Sequence, residues 1–248
     1  MLSLQNGLNE PVIAEEAGAA RTIGAVVRFD GALMGPGHVT QQLSDGDLII
    51  GAFDPSGAGR IAGIADLLRP ALPVAVSADI RVELWSKLTR NCLLNAVSTL
   101  VGMGLGRMAA IPEVRTISLG TGLEVVAVAR AVGVALEPSI MYDVDATCCS
   151  LVIRPQCGDF HVAFARAYAR VPDLKPSMLQ DAEKGRTVEV RWLNGAVAET
   201  GAGAGVHAPI NRALTERVEE LIRGERTPGI HNLVQCLSIT GLPKIMGT

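Results

Sequence analysis

The sequence predicts an α/β region followed by an all-α region, and two patterns support this. Short runs of β-branched and apolar residues, separated by glycine and proline turns, fill residues 1–76. From Asp79 onward, apolar residues recur with the spacing of helices, and prolines and capping residues mark helix starts. The predicted helical domain covers residues 77–224. A tail follows at 225–248, where mixed polarity and turn-forming residues predict weak order.

Strands and one helix are predicted in the first region. Residues 22–29 are rich in β-branched and apolar side chains, which is typical of a buried strand. Residues 47–53 form a second apolar run, and residues 74–76 form a last short strand, whereas residues 39–43 alternate less cleanly. Residues 59–69 have helical spacing and supply the helix.

Six helices are predicted in the second region. The first follows Asp79, a suitable N-cap, and contains residues 84–95. Prolines open two others, because proline is tolerated in the first helical turn. The remaining predicted helices cover 112–133, 159–171, 177–184, a segment that contains Val190 and closes at Gly201, and 209–224.

One polar stripe dominates the helix that contains residues 84–95. Lys87, Asn91 and Asn95 are four residues apart, so a helix places them on one face. Asn is a poor helix former, so two of them at this spacing favour a role in binding a small polar molecule. The alternative interpretation is a solvated face with two chance amides, since polar pairs four apart are common on exposed helices.

Composition and charge argue against several classes of protein. The chain has 248 residues, of which 48% are hydrophobic, and its net charge is −3. The charges are interspersed, so neither a basic nucleic-acid face nor a polybasic membrane patch is expected. The start lacks the features of a signal peptide, and no long apolar run predicts a membrane span. The expected location is cytoplasmic.

The cysteines predict thiols rather than disulfides or a metal site. There are five of them, an odd number without a regular framework of spacings, which is typical of a reducing compartment. Cys157 and His161 are four apart, with Cys148 and Cys149 nearby, so a metal site is conceivable. Because the sequence has no C-x-x-C pair, we expect buried structural thiols and no metal.

Two glycine-rich stretches, at 102–106 and 201–205, could suggest a dinucleotide site. Neither has the spacing G-x-G-x-x-G, and each follows a predicted helix instead of a strand. A phosphate cradle needs backbone N–H groups at a helix N-terminus. Both stretches are therefore predicted to be helix ends and loops.

Three ordered motifs resemble the ketopantoate reductases (2-dehydropantoate 2-reductases). Trp85-x-Lys87-x-x-x-Asn91-x-x-x-Asn95 resembles the substrate helix of that family. Near the start, Gln5-Asn6-Gly7 is similar to its strand-end motif. The third motif comprises the runs Ser177-Met178-Leu179-Gln180-Asp181, Gly185-Arg186-Thr187-Val188-Glu189-Val190 and Leu193-Asn194-Gly195. The resemblance covers residues 1–222.

This resemblance implies a fold and a reaction. The fold would be a remnant of a Rossmann-type NADP-binding domain at 1–76, followed by a helical domain like the C-terminal domain of 6-phosphogluconate dehydrogenase. The reaction would be NADPH-dependent reduction of 2-dehydropantoate to pantoate in pantothenate biosynthesis. The expected partners are a small-molecule 2-oxo acid and a second copy of the chain in a homodimer, with no nucleic acid and no membrane.

The resemblance also implies roles for individual residues. Lys87 would be the catalytic proton donor and contact the substrate. Asn91 and Asn95 would bind the substrate through their amides, and Ser177 would hold its carboxylate. The cofactor-binding residues would be Asn6, at the nicotinamide ribose, and Glu189. Taken singly, a local structural role is the more usual one for each: Ser177 as an N-cap, Asn6 as a turn residue and Glu189 as an acid of a first helical turn. The ordered set of motifs favours the functional roles.

Departures from the family pattern leave alternatives open. An asparagine that many members carry after the substrate helix is replaced by Leu105, so another 2-oxo acid is an alternative substrate. The family's glycine-rich fingerprint is missing ahead of Gln5-Asn6-Gly7. The chain is therefore expected to be a truncated member that binds NADPH poorly and has impaired activity. A third interpretation is a non-catalytic helical remnant that serves dimerisation.

Overall fold

The computed structural model divides into two units, Met1–Lys87 and Leu88–Thr248. The structure describes residues 1–29, 31–41, 46–136 and 159–240. The division falls inside helix α3 (Ile80–Val101), about three turns after the change of pattern near residue 76. The domain bounds 1–76, 77–224 and 225–248 stay predictions.

A mixed four-stranded sheet organises the first unit. Its neighbouring strands pair parallel, then antiparallel, then parallel. In spatial order they are β1 (Leu2–Ser3), β2 (Ile23–Val27), β5 (Leu48–Ala52) and β6 (Val74–Val76). A separate antiparallel hairpin consists of β3 (Gly31–Gly35) and β4 (His38–Gln41). The strands predicted at 22–29, 47–53 and 74–76 are confirmed.

Both faces of β2 and β5 are buried, which explains why these strands are continuous apolar runs. On one face, side chains of β2 and β5, such as Ala25 and Ile50, pack with Ile61 and Ala65 of α2 (Ile61–Leu68). Residues of the other face and of the first turns of α3 form a second cluster, made of Val26, Ile49, Ile80 and Leu84. The start of α3 is thus seated on the sheet.

Two strand glycines allow this close seating. A Cβ atom on Gly24 would lie 2.9 Å from Cγ1 of Ile80, and one on Gly51 would lie 2.8 Å from Cβ of Ile80. Real Cβ atoms do not approach other carbon atoms so closely, since the interior is already close-packed. Neither strand position therefore has room for a side chain.

Helix α1 (Glu10–Ala17) was not predicted. It is short and its apolar residues do not form one clear stripe, but Pro11 in its first turn is a start signal that the sequence contained. Glu10 is fully buried, and burial raises the pKa of its carboxyl. Neither carboxyl oxygen makes a hydrogen bond of ordinary geometry. The backbone N–H of Glu10, the Ser3 hydroxyl and the backbone N–H of Asn9 lower this pKa, but by less than burial raises it.

Helices make up the described part of the second unit, apart from loops and a 3₁₀ turn at Val190–Trp192. All six predicted helices are confirmed, with ends that differ by a few residues. After α3 the helices are α4 (Leu105–Ala109), α5 (Pro112–Ala131), α6 (Phe160–Tyr168), α7 (Ser177–Glu183), α8 (Asn194–Gly203), α9 (Pro209–Ile222) and α10 (His231–Thr240). Of the helices in the described ranges, none is long and apolar enough to cross a bilayer.

The prediction of weak order after residue 224 is wrong for residues 225–240. The amide of Asn232, which is fully buried, donates to the carbonyls of Leu100, Thr227 and Gly229 at 3.1, 3.0 and 3.1 Å. Leu233 and Leu237 of α10 are buried as well. The apolar spacing of 233, 236 and 237 was a helical signal that mixed composition obscured.

Candidate functional site

Helix α3 carries the predicted polar stripe. It runs without interruption from Ile80 to Val101. The Asp79 carboxylate accepts the backbone N–H of Arg81 at 3.0 Å, which is the capping that the sequence predicted. Lys87 belongs to the first unit, whereas Asn91 and Asn95 belong to the second. Because all three are four apart on one helix, their side chains leave α3 on the same face.

The Lys87 ammonium is oriented by the end of strand β2. Its Nζ donates to the backbone carbonyl oxygen of Val27, the last residue of β2, at 2.9 Å. The Lys87 side chain is half-buried. A half-buried ammonium in a fixed position suits electrostatic stabilisation of negative charge or donation of a proton.

Asn6 and the Lys87 ammonium lie near the carboxyl ends of two adjacent parallel strands, β1 and β2. Strands β1 and β2 are parallel, with Ser3 opposite Gly24. Asn6 comes three residues after Ser3, and Val27 comes three residues after Gly24. Asn6, the residue predicted at the ribose, therefore lies beyond the carboxyl end of β1, and the carbonyl that holds Lys87 belongs to the last residue of the adjacent parallel strand β2. Open α/β sheets bind ligands at this edge.

The turn that contains Asn6 is held by its own neighbours. The backbone carbonyl of Asn6 accepts the Asn9 amide at 2.7 Å. Gly7 has a φ of 92°, a left-handed conformation that glycine adopts without strain. Asn6 itself is half-buried. The backbone of Asn6 thus belongs to a turn. This does not prevent its side chain from contacting a ligand.

Asn91 is the residue of the stripe that most directly points to a ligand. Asn91 and Asn95 are each only 4% exposed. The Asn91 amide nitrogen is buried and has no hydrogen-bond partner. A buried donor without a partner costs about 1–3 kcal/mol, and a bound acceptor would recover that cost. The solvated-face interpretation of the two amides is therefore wrong, since neither amide is exposed.

Ser177 and Glu189 lie at the starts of two short helical segments in the second unit. Ser177 is exposed and is the first residue of α7; Pro176 takes the N-cap position and no side chain caps this helix. Glu189 is half-buried, and its backbone carbonyl accepts the N–H groups of Trp192 and Leu193 at 2.9 and 3.2 Å. Convergence of these two side chains with Lys87 stays a prediction.

The glycines and Leu105 that follow α3 have packing roles. A Cβ on Gly104 would lie 2.7 Å from the carbonyl oxygen of Pro172, and one on Gly106 would clash with the carbonyl oxygen of Tyr168. Leu105 is 2% exposed, and its N–H donates to Leu174 at 2.9 Å. This stretch ends α3, as predicted, but it also starts α4, which was not predicted. The Leu105 side chain is apolar and buried, so it offers no hydrogen-bonding group to a ligand.

The two cysteines among the described residues are both buried. Cys92 and Cys236 are buried thiols. Burial raises the pKa of the Cys92 thiol, and the nearby Glu124 carboxylate raises it further. Across the described ranges, no three His, Cys, Asp or Glu side chains are arranged to hold a metal. Cys148, Cys149 and Cys157 lie outside the described residues.

Sequence reasoning missed two polar clusters. In the first unit, Arg28 and Asp47 form a two-pronged ion pair next to the Val27 carbonyl. In the second unit, Glu124 accepts N–H groups at the start of α9, and Asn194 donates to Asn211 at 2.9 Å. Partners such as Arg28 and Asp47 are far apart along the chain, so local spacing carried no signal for either cluster.

The comparisons with known proteins point in one direction. The family described as ketopantoate reductase PanE/ApbA C terminal matches residues 79–221, which is more than half of the chain. The 2-dehydropantoate 2-reductase of Archaeoglobus fulgidus is 25% identical over 225 residues. That match covers 90% of this chain and 66% of the Archaeoglobus protein, so this chain spans slightly less than two thirds of its relative's length.

Solved structures agree with the sequence matches. The 2-dehydropantoate 2-reductase of Geobacter metallireducens is 29% identical, with a TM-score of 0.72 over 89% of this chain and 67% of that one. A D-mandelate dehydrogenase, solved in a ternary structure with NADH and anilino(oxo)acetate, is 22% identical with a TM-score of 0.71. That match covers 90% of this chain and 67% of the other, and it shows likeness of fold alone. The small sheet and the helical domain are thus those of the ketopantoate reductase fold.

Proposed function

Because this chain belongs to the ketopantoate reductase family, we propose that it serves the NADPH-dependent reduction of 2-dehydropantoate to pantoate. The observation that carries this proposal is the α3 stripe, in which a positioned Lys87 ammonium shares a helix face with the buried Asn91 and Asn95 amides. Residues 1–76 would then be the last part of a Rossmann-type domain, with Asn6 at its ligand-binding edge.

Asn6 and Glu189 are the residues that would hold the cofactor. The position of Asn6 beyond the carboxyl end of β1 fits a nucleotide, because its amide can bind ribose hydroxyls from there. NADPH would supply the hydride. The chemical work of this chain's residues is to bind the 2-oxo acid, orient its ketone and provide a proton.

Lys87 would act on charge that forms during the reaction. When the C2 carbonyl carbon accepts a hydride, its electron pair forms the new C–H bond and the C=O π electrons move to oxygen. The Lys87 ammonium then donates a proton to that oxygen, which yields the C2 alcohol. Its hydrogen bond to the Val27 carbonyl orients Nζ before the substrate arrives. A positioned cation of this kind stabilises the transition state more than the ground state.

The two asparagines would provide selectivity. The unpartnered Asn91 amide nitrogen suits a substrate hydroxyl or carboxylate oxygen. A buried amide that must bind a polar group rejects substrates that lack it, since it would otherwise stay unpaired. Ser177, exposed at the start of α7, would contribute a hydroxyl to the substrate carboxylate.

The test is an assay of NADPH oxidation with 2-dehydropantoate and, in parallel, with other 2-oxo acids. It should use both the purified chain and a hybrid that adds the third of the Archaeoglobus relative that this chain does not cover. We expect 2-dehydropantoate to be the preferred substrate. If the protein prefers another 2-oxo acid, the proposed reduction stands and the proposed substrate is wrong. No turnover by the hybrid with any 2-oxo acid would refute the proposal.

A homodimer is a separate part of the proposal. Its measurement is the molar mass in solution by light scattering, over a range of protein concentrations. We expect a mass of two chains. A mass of one chain at all concentrations would exclude the dimer without affecting the proposed chemistry.

A further inference from the structure

We propose that the ion pair between Arg28 and Asp47 positions the Lys87 ammonium by fixing the last peptide group of strand β2. Lys87 has a catalytic role only if the proposed function holds, so the inference rests on that function for its consequence. The positioning itself is a physical relationship within the first unit and is tested independently of turnover.

The peptide group between Val27 and Arg28 is held from both sides. Its carbonyl oxygen accepts Lys87 Nζ at 2.9 Å, and its N–H donates to the backbone carbonyl of Asp47 at 2.9 Å. The peptide group is planar and rigid, and its C=O and N–H point in opposite directions. Any rotation that releases the N–H from Asp47 therefore also turns the carbonyl away from Lys87.

The side chains of Arg28 and Asp47 reinforce the same contact. The Arg28 guanidinium donates through Nε and Nη2 to the two carboxylate oxygens of Asp47. Their side chains are 25% and 24% exposed, so the pair is partly shielded from water. A two-pronged pair fixes direction as well as distance. The pair lies one residue beyond the last β2–β5 partners, Val27 and Leu48, where a sheet would otherwise fray.

Arg28 also controls the carboxylates that could compete for Lys87. Glu83 is half-buried and lies one helical turn before Lys87, a spacing at which Glu and Lys attract. Burial raises the pKa of Glu83, Arg28 lowers it and Asp47 raises it, so the three groups interact. Without Arg28, both Asp47 and Glu83 would be available to draw the ammonium away from the Val27 carbonyl.

The test uses the ammonium signals of isotope-labelled lysine in NMR spectra of the full chain. The chain has only four lysines, Lys87, Lys175, Lys184 and Lys244, so assignment by Lys→Arg variants is direct. Arg28→Gln and Asp47→Asn should each shift the Lys87 signal and speed its proton exchange with water. The other three signals should not move.

Two further variants separate positioning from general loss of structure. Arg28→Lys keeps the charge, so it should leave the Lys87 signal closer to wild type than Arg28→Gln does. Asp66→Asn is the matched control, since it breaks an exposed pair with Arg69 in the same unit. It should leave the Lys87 signal unchanged.

Turnover adds the functional consequence. In a form that reduces 2-dehydropantoate, Arg28→Gln and Asp47→Asn should lower kcat about tenfold to hundredfold, with little change in the KM for NADPH, as expected for a misplaced catalytic group. A wild-type Lys87 signal in both variants overturns the inference, whatever the activity. If that signal shifts but Lys87→Ala keeps full turnover, the positioning is supported and the proposed proton donor is refuted.

Discussion

Glu124 caps a helix that begins 85 residues after it, through two bonds to Asn211. Its Oε2 accepts both the backbone N–H and the side-chain amide of Asn211, at 2.9 and 2.8 Å, while Oε1 accepts the N–H of Ile210 at 2.9 Å. These donors belong to the first turn of α9, whose N-terminal N–H groups have no partner within the helix. A side chain of α5 thus performs the role that a local N-cap residue usually has.

Removing this cap should destabilise the second unit. Glu124→Ala leaves the backbone N–H groups of Ile210 and Asn211 without partners, while the Asn211 amide keeps the Thr121 carbonyl at 3.2 Å. We therefore expect the free energy of unfolding to fall by about 1–3 kcal/mol. Urea unfolding followed by circular dichroism measures this. Glu216→Ala, an exposed acid on the same helix α9, is the control and should change stability by less than about 0.5 kcal/mol. Equal effects of the two variants would contradict the capping role.

Glu10 should make stability depend on pH. Burial raises the pKa of its carboxyl above the unfolded value, so the folded state favours the protonated form. Its contribution is therefore complete below the unfolded pKa and is lost as the pH rises through the folded pKa. Glu10→Gln should remove this loss, and its unfolding free energy should fall less than that of the wild type from acidic to neutral pH. Parallel pH profiles of the two proteins would exclude the effect.

Lys87→Ala should reduce turnover far more than cofactor affinity. Lys87 acts on charge that forms in the transition state, and general acid catalysis contributes roughly 10²–10⁴-fold. We expect kcat to fall within that range in a form of the protein that reduces 2-dehydropantoate, with the dissociation constant for NADPH nearly unchanged. Lys175→Ala, a lysine of an exposed ion pair, is the comparison. Nearly full turnover by Lys87→Ala would identify Lys87 as a structural residue.

Asn95→Ala should affect substrate binding as well as chemistry. An amide that holds the substrate acts both before and during the reaction, so the KM for the 2-oxo acid should rise while kcat falls. Steady-state kinetics with varied substrate at saturating NADPH separates the two effects. An unchanged KM would show that Asn95 has a packing role alone.

Asn91→Leu should stabilise the chain while it damages binding. The Asn91 amide nitrogen is buried without a partner, so an apolar side chain of similar size removes an uncompensated cost. We expect about 1 kcal/mol of added stability in urea unfolding without ligand, together with a higher KM for the 2-oxo acid. Lower stability of Asn91→Leu would mean that the amide makes a structural contribution.

Local pattern predicted much of the architecture because the relevant forces are local. The apolar runs at 22–29 and 47–53 are buried on both faces of a sheet, and nothing else explains such runs as well. Helix α1 was not predicted because it is short and its apolar residues do not form one clear helical stripe. The spacing of Asn91 and Asn95 predicted their shared helix face. Their burial was not predictable, because it depends on which residues of distant elements pack around them.

The polar clusters escaped prediction for a different reason. Arg28 and Asp47 are 19 residues apart, and Glu124 and Asn211 are 87 residues apart. Each charged or polar residue alone is typical of a solvated surface. Such a residue gains a structural role only through its distant partner. The spacing of residues within a short segment does not indicate which partner that is.

Gly24 and Gly51, which both contact Ile80, differ in the substitutions that they permit. A methyl group at position 24 meets the γ carbons of Ile80 and Leu84 Cδ1, so alanine there becomes acceptable once residue 80 is alanine and residue 84 gives way slightly. A methyl group at position 51 meets the β carbon of residue 80 and, at 3.1 Å, the Ser77 carbonyl oxygen. Only glycine at position 80 removes the first contact, and no change of that side chain removes the contact with the Ser77 carbonyl oxygen. Among descendants of this gene, position 24 should therefore covary with position 80, whereas position 51 should remain glycine.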